Sequence, residues 1–131
     1  MFDYFYGPQA EQFAFYRVPK VLFTNDRFKY LSAEAKTLYG ILLDRVPLSA
    51  KNGWIDEQGR VYIICTIEEI MADMNCGNKK AIQLLSDLEE KVGLIERKRQ
   101  GLGKPNLIYV KNFISVDNPV AVSYTHLTLP T

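Results

Sequence analysis

A cluster of cations surrounds a glycine-rich turn in the last third of the chain, in the stretch RKRQGLGKPN (97–106). Residues 97–111 contain five Lys or Arg residues and no acid. Such a local concentration of positive charge suits an anionic phosphate backbone. The runs GLIE before it and LIYV after it predict two short strands, so the cations would lie at the tip of a β-hairpin. An ordinary solvated turn is the alternative.

Six residues of this hairpin are predicted to contact phosphate. Arg97 and Arg99 fall on one face of the first strand because side chains alternate with a period of two. Gly101 and Gly103 have no side chain, so the backbone of the turn would come close to a sugar-phosphate wall. The six residues are Arg97, Lys98, Arg99, Gly101, Gly103 and Lys104.

The helix predicted just before the hairpin, over residues 79–92, carries a second candidate cluster. Its apolar residues recur every three or four positions and predict a buried stripe of Ala81, Leu84, Leu85 and Leu88. Glutamine pairs with adenine in the major groove, and lysine pairs with guanine or with phosphate. Solvated surface lysines are the alternative reading. The predicted DNA-reading residues are Asn78, as the N-cap, with Lys79, Lys80 and Gln83.

The remainder of that helix is acidic. Ser86 shares the outward face with Gln83, and Asp87, Glu89 and Glu90 follow it. In helix-turn-helix proteins the N-terminal residues of the second helix reach the base edges. We therefore expect the acids to lie where the helix leaves the groove.

Caps and periodicity predict the helices that would position both clusters. Ser32 is a predicted N-cap for an amphipathic helix over 33–46, which Pro47 would end. Thr66 and Glu69 predict a capping box at the start of the next helix. Gly77 would supply the positive φ of the tight turn NCGN (75–78). Two helices joined by about four residues have helix-turn-helix spacing.

Two further strands complete the predicted fold. The alternation around Phe13 and Phe15 indicates a strand ending near Arg17, and VYIIC (61–65) indicates another, with which Trp54 and Ile55 would pair briefly. The order of elements predicts an α+β fold, a winged helix-turn-helix with an N-terminal strand and a C-terminal β-hairpin wing.

Length and charge indicate how many domains the chain forms and where its positive charge lies. A chain of 131 residues fits one domain with its own core. Residues 1–77 carry 8 Lys/Arg and 10 Asp/Glu, a net charge of −2, whereas residues 78–131 carry 8 and 5, a net charge of +3. The positive charge is therefore concentrated in the part that contains both candidate clusters.

Several classes of site are not predicted. Cys65 and Cys76 lack metal-ligand spacing and a neighbouring His, so no metal, cofactor or disulfide is expected. There is no run of about 18 apolar residues, so no membrane span is predicted. The first residues lack signal-peptide features, and a cytoplasmic location is expected. The sequence contains no glycine-rich phosphate loop, no nucleophile elbow and no carboxylate pair of a catalytic kind. No enzyme activity is therefore predicted.

Aromatic residues crowd the N-terminus. A core or dimer contact is predicted for them, and stacking on single-stranded bases is the alternative. They are Phe2, Tyr4, Phe5, Tyr6, Phe13, Phe15 and Tyr16. Trp54 is expected to anchor its loop on the body of the domain.

Four stretches together resemble a known family: FYRVPKVLF, LSAEAKTLYGILLDR, KNGWIDEQGRVYI and NCGNKKAIQLLSDLEEKVGLIERKRQGLGKPNLIYVKNF. They are collinear over residues 4–113 with the N-terminal domain of plasmid replication initiator protein A. The resemblance implies a winged-helix domain that binds double-stranded DNA at repeated origin sequences (iterons) as a homodimer. It places the recognition helix on 78–92 and the wing on 95–111, and it implies a further C-terminal domain that engages host replication proteins.

The resemblance also suggests how the chain is divided. Residues 1–30 would form an N-terminal arm or strand with a possible dimer contact, 31–114 the winged helix, and 115–121 a linker to the missing C-terminal domain. The last ten residues, VSYTHLTLPT (122–131), have no pattern of their own and match a translated sequencing-library adapter. They are interpreted as an artefact of that kind, and a genuine tail is the alternative.

Two other functions share the predicted fold. A winged-helix transcriptional regulator would use the same groove chemistry, since fold alone does not define function. A winged-helix module for protein–protein contacts would bind DNA weakly and without salt dependence.

Overall fold

The computed structural model describes residues 1–7 and 14–114. The segment 115–121, the proposed adapter residues 122–131 and Phe13 lie outside the described residues. The helices of the described part are α1 (Val21–Thr24), a 3-10 turn (Asp26–Phe28), α2 (Ala33–Asp44), α3 (Val46–Lys51), α4 (Ile67–Met74) and α5 (Asn78–Ser86), which continues as a π turn (Asp87–Lys91). Its strands are β1 (Ile63–Ile64), β2 (Ile95–Lys98) and β3 (Leu107–Val110).

The three strands form one antiparallel sheet in the order β1-β3-β2. The predicted hairpin is confirmed, because β2 and β3 pair directly and Arg97 lies opposite Ile108. Ile108 also lies opposite Ile63 of β1, so the first strand joins the hairpin from the other side. The brief pairing expected before β1 is present as a bridge between Ile55 and Val61.

The core lies between α2, α4, α5 and one face of the sheet. Leu22 and Phe28 also belong to it, so the packed unit extends to the N-terminal side of α2. Removal of these apolar side chains from water is the main term that favours folding. The largest fully buried side chains are Tyr39, Leu22, Leu38, Leu42, Ile63, Ile70, Leu84, Leu85, Leu88, Ile95 and Ile108. This arrangement is the predicted α+β winged helix-turn-helix.

The region after α2 differs from the prediction. The side chain of Ser32 caps α2 by accepting from the main-chain N–H of Ala35 at 3.1 Å, as expected. The helix does end just before Pro47, at Asp44, but Pro47 then lies in the first turn of a further helix, α3. Proline is favoured there because the first turn of a helix leaves its N–H groups unpaired in any case. After α3, Trp54 stacks on Tyr62.

Two details predicted for the turn between α4 and α5 are wrong, the residue with positive φ and the N-cap of α5. The capping box of Thr66 and Glu69 is present. The positive φ belongs to Asn75 (φ 52°), because asparagine tolerates the left-handed region, whereas Gly77 is extended with φ −85°. Gly77 is also the N-cap of α5, and its carbonyl oxygen accepts from Ala81, so Asn78 is the first helical residue and not the cap.

The predicted N-terminal strand is wrong for the residues that are described. Residues 14–17 form no strand, and the backbone of Arg17 instead lies against α2 at Gly40. The core prediction for the N-terminal aromatic residues is also wrong, because all six that are described are largely exposed: Phe2, Tyr4, Phe5, Tyr6, Phe15 and Tyr16.

The described residues contain neither a membrane-spanning helix nor a metal-binding cluster. None of the helices there is long and apolar enough to cross a bilayer. No group of three or more His, Cys, Asp or Glu side chains in that part of the chain is arranged to hold a metal ion. Cys65 and Cys76 are free thiols, and burial raises the pKa of Cys65 to about 11.

The contact at Gly40 predicts that Gly40→Ala destabilises the domain. A Cβ at this position would lie 2.9 Å from both the Arg17 carbonyl oxygen and Val18 Cγ2. Helix propensity alone predicts a gain of about 1 kcal/mol in stability. Overpacking costs about 1–3 kcal/mol, and we expect it to prevail because one neighbour is backbone.

Urea denaturation measures the free energy of unfolding of both proteins. Thr37→Ala, at an exposed position of α2, is the control for a change to alanine that meets no close neighbour, although it also removes a hydrogen bond to the Ala33 carbonyl oxygen. A gain in stability for Gly40→Ala of about 1 kcal/mol, the full propensity difference, would show that Arg17 and Val18 are not held against α2.

Candidate nucleic-acid interface

The buried stripe of α5 determines which of its residues face outward. Ala81, Leu84 and Leu85 are at most 2% exposed, and Leu88 continues the stripe into the π turn. A helix that buries one side turns the residues about 180° away toward solvent. The predicted reading residues Asn78, Lys79, Lys80 and Gln83 are accordingly all exposed.

The two lysines at the start of α5 differ in their surroundings. Lys80 Nζ lies 2.8 Å from Glu34 Oε1 at the start of α2. The hydrogen bond to Glu34 raises the pKa of Lys80 and keeps the ammonium group charged. Lys79 pairs with no acidic side chain within residues 1–7 and 14–114. Lys79 is therefore better placed than Lys80 to meet an external anion.

Gln83 is oriented by the acid one turn further on. Its side-chain amide donates from Nε2 to Asp87 Oδ1 at 2.8 Å. The same carboxylate oxygen lies 3.6 Å from Lys91 Nζ. Because a carboxylate only accepts, the NH₂ end of the amide is turned to Asp87 and the carbonyl oxygen points away from it. Asp87 is 9% exposed and is therefore a supporting residue of the helix surface.

Arg97 is held by the π turn that continues α5 as well as by its strand. Glu89 Oε1 accepts from Arg97 Nε at 2.7 Å, and Glu89 Oε2 accepts from the Arg97 main-chain N–H at 3.0 Å. Burial alone would raise the pKa of Glu89, but these contacts with Arg97 bring it below its ordinary value. Arg97 faces α5 because its strand partner Ile108 is in the core. The pair joins the base of the wing to the end of the helix.

The wing tip carries the cations that remain exposed. Lys98, Arg99 and Lys104 form no ion pair with an acid of the described ranges. The tip is braced across the loop, since Gln100 Nε2 donates to the Pro105 carbonyl oxygen at 2.7 Å. Gly101 (φ +126°) and Gly103 (φ +76°) adopt the conformations that glycine favours, so both are required by the turn itself.

Two exposed apolar residues escaped the sequence analysis. Ile82 is 43% exposed on α5, and Leu102 is 96% exposed between the two glycines of the wing tip. The helical period would have revealed Ile82, because it lies three and four residues from Lys79, Asn78 and Ser86. Leu102 carries no comparable signal, since a single leucine in a turn has no periodic context.

The Glu89–Arg97 contact predicts a loss of stability in Glu89→Ala. The change leaves the Arg97 N–H and guanidinium without their acceptor, which we expect to lower the free energy of unfolding at pH 7 by about 1–3 kcal/mol. The folded state lowers the pKa of Glu89 below its ordinary value of 4.5. The contribution is therefore complete above about pH 4.5 and is lost as the pH falls through the lowered value.

Urea denaturation at pH 7 and at successively lower pH tests this. Glu96→Ala is the matched control in the same strand, because Glu96 forms only an exposed pair with Lys111 at 3.5 Å. We expect the control to change stability by less than about 0.5 kcal/mol. Equal effects of the two variants, or a Glu89 effect that grows in acid, would contradict the role of this pair.

Comparison with known proteins gives a consistent result. Residues 14–123 match the model of a family described as replication initiator protein A (RepA) N-terminus. A "41 kDa protein" from Lactobacillus helveticus is 29% identical over 92 residues, which are 70% of this chain and 26% of that protein. The chain thus spans about a quarter of the length of this relative.

Three solved structures are similar over nearly the whole chain. One described as "N-Terminal domain of DNA binding protein" has a TM-score of 0.73 at 34% identity and covers 100% of this chain and 98% of its own. One described as "Structure of Rep-DNA complex" has a TM-score of 0.72 at 34% identity, with 98% and 99% covered. One described as "Structure of MDR initiator" has a TM-score of 0.71 at 36% identity, with 96% and 98% covered. The chain belongs to the family of replication initiator protein A N-terminal domains.

Proposed function

We propose that this chain is the DNA-binding domain of a plasmid replication initiator and recognises double-stranded DNA at repeated origin sequences, the iterons. The observation that carries the proposal is the Glu89–Arg97 contact, which joins the π turn at the end of α5 to a wing with three exposed cations. A helix in the major groove and a basic hairpin on the adjacent backbone require such a fixed relation. The similarity to a structure described as a Rep-DNA complex supports it.

The two elements have different tasks in this proposal. Asn78, Lys79 and Gln83 reach base edges, with the Gln83 carbonyl oxygen available to accept from the amino group of adenine or cytosine. Lys98, Arg99 and Lys104 neutralise phosphates, and Gly101 and Gly103 give the tip its shape. Arg97, predicted to touch phosphate, has its Nε and main-chain N–H engaged by Glu89 and mainly fixes the angle of the wing.

Membership of the family supports a proposal for the wider role. A non-catalytic initiator domain of this kind would act in the cytoplasm, where plasmid DNA lies, and would bind its repeats as a homodimer. The exposed aromatic residues of the N-terminus are the candidate dimer contact. Contacts with host replication proteins would be made by the further C-terminal domain that the family resemblance implies. A transcriptional regulator with the same fold would not distinguish origin repeats from other DNA.

Salt-titrated binding to direct-repeat DNA of the encoding replicon and to scrambled DNA of the same composition tests the proposal. We expect tighter binding to the repeats, with an affinity that falls as salt rises. Equal affinity for the two DNAs would contradict sequence recognition at an origin.

Variants separate the helix from the wing. Gln83→Ala should reduce the preference for repeats by about 1–3 kcal/mol. Arg99→Ala and Lys104→Ala should weaken binding to both DNAs alike and reduce the salt slope by about 0.9 each. Gln58→Ala, in the exposed turn before β1, is the control for the first change, and Lys51→Ala at the end of α3 is the control for the others. An unchanged slope in both wing variants would show that the wing does not contact phosphate.

A further inference from the structure

Ile82 is an exposed apolar residue on the otherwise polar outer surface of α5. At 43% exposed it is the large apolar side chain of this helix that remains in solvent, while the others are buried in the core. A β-branched residue loses side-chain freedom in a helix, and an exposed one gains little from packing. Helix formation does not explain an isoleucine here, and packing on the domain shields only part of its side chain.

The neighbours of Ile82 indicate what would cover it. Residues three and four positions apart share a helix face, so Ile82 lies beside Asn78, Lys79 and Ser86 and next to Gln83. All four are polar, and Lys79 and Asn78 are exposed. A protein partner would be expected to cover a contiguous apolar patch, whereas here a single apolar group is set among hydrogen-bonding groups. That mixture matches the edge of a base pair in the major groove.

We propose that Ile82 reads thymine by contact with its C5-methyl group. In the major groove thymine presents an acceptor oxygen and a methyl group, and the methyl group is the one apolar feature of any base edge there. With polar side chains at Asn78, Lys79 and Gln83 to pair with neighbouring bases, Ile82 supplies the apolar contact. The inference rests on the proposed function and adds one base preference to it.

Uracil provides a probe that removes the methyl group alone. Duplexes of the direct repeats are made with deoxyuridine in place of every deoxythymidine, which leaves the base-pairing groups and the O4 acceptor in place. We expect the wild-type domain to lose about fourfold in affinity for each methyl group that it contacts. Ile82→Ala should bind both duplexes equally, with an affinity close to that of the wild type on the uracil duplex.

Binding of the wild type and of Ile82→Ala to the thymine duplex and to the uracil duplex forms a double-mutant cycle. The cycle isolates the free energy of contact between Ile82 and the methyl group. Leu48→Ala, at an exposed leucine of α3, is the matched control and should retain the wild-type response to uracil. Thermal unfolding should be little changed in Ile82→Ala, because alanine is a better helix former and the site is exposed.

Three results would overturn the proposal. Equal losses on uracil DNA for the wild type and Ile82→Ala would assign the effect to DNA shape or to another side chain. A wild-type domain that prefers the repeats but ignores uracil would show that no methyl group is read. A wild-type domain without preference for the repeats would instead refute the proposed function, and this inference with it.

Discussion

The burial of the apolar stripe of α5 is the constraint on which the candidate interface depends. Ala81, Leu84, Leu85 and Leu88 pack against α2, α4 and the sheet, and so fix the rotation of the helix about its own axis. The outward position of Lys79 and Gln83 follows from that rotation and needs no contact of their own. A packed core transmits small changes, so a volume change in the stripe would rotate or shift the outward face of α5.

Two acidic side chains restrict the orientation of residues at the candidate interface. Asp87 holds the Gln83 amide, and Glu89 holds both the backbone and the guanidinium of Arg97. These acids lie in a basic region and reduce its net charge, which would weaken attraction to phosphate over a distance. What they provide instead is a defined geometry, since a charge-assisted hydrogen bond restrains a long side chain that would otherwise sample many rotamers.

The sequence predicted the fold well wherever a periodic pattern or a cap carried the information. The stripe of α5, the Ser32 cap, the capping box at Thr66 and the basic hairpin were all predicted correctly. The failures concern residues with more than one favourable setting. Phe15 belongs to an alternating stretch, yet residues 14–17 form no strand, and Pro47 suits the start of a helix as well as its end.

The site was predictable in its location but not in its internal contacts. The cations at the wing tip and the polar face of α5 follow from spacing alone. The partners of Arg97 and Gln83 do not, because they depend on where the acids after Ser86 point. A regular helix would carry Asp87 and Glu89 along the same spiral, whereas the π turn changes that spiral at this place.

The π turn has a consequence for how the specificity of this domain could be transferred. Designers of DNA-binding proteins often graft the exposed residues of one recognition helix onto another scaffold. Here the graft would lose the acceptors that orient Gln83 and Arg97 if it ended at Ser86. The smallest portable unit is therefore the continuous segment from Asn78 through Lys98, with helix, π turn and first wing strand kept in one piece.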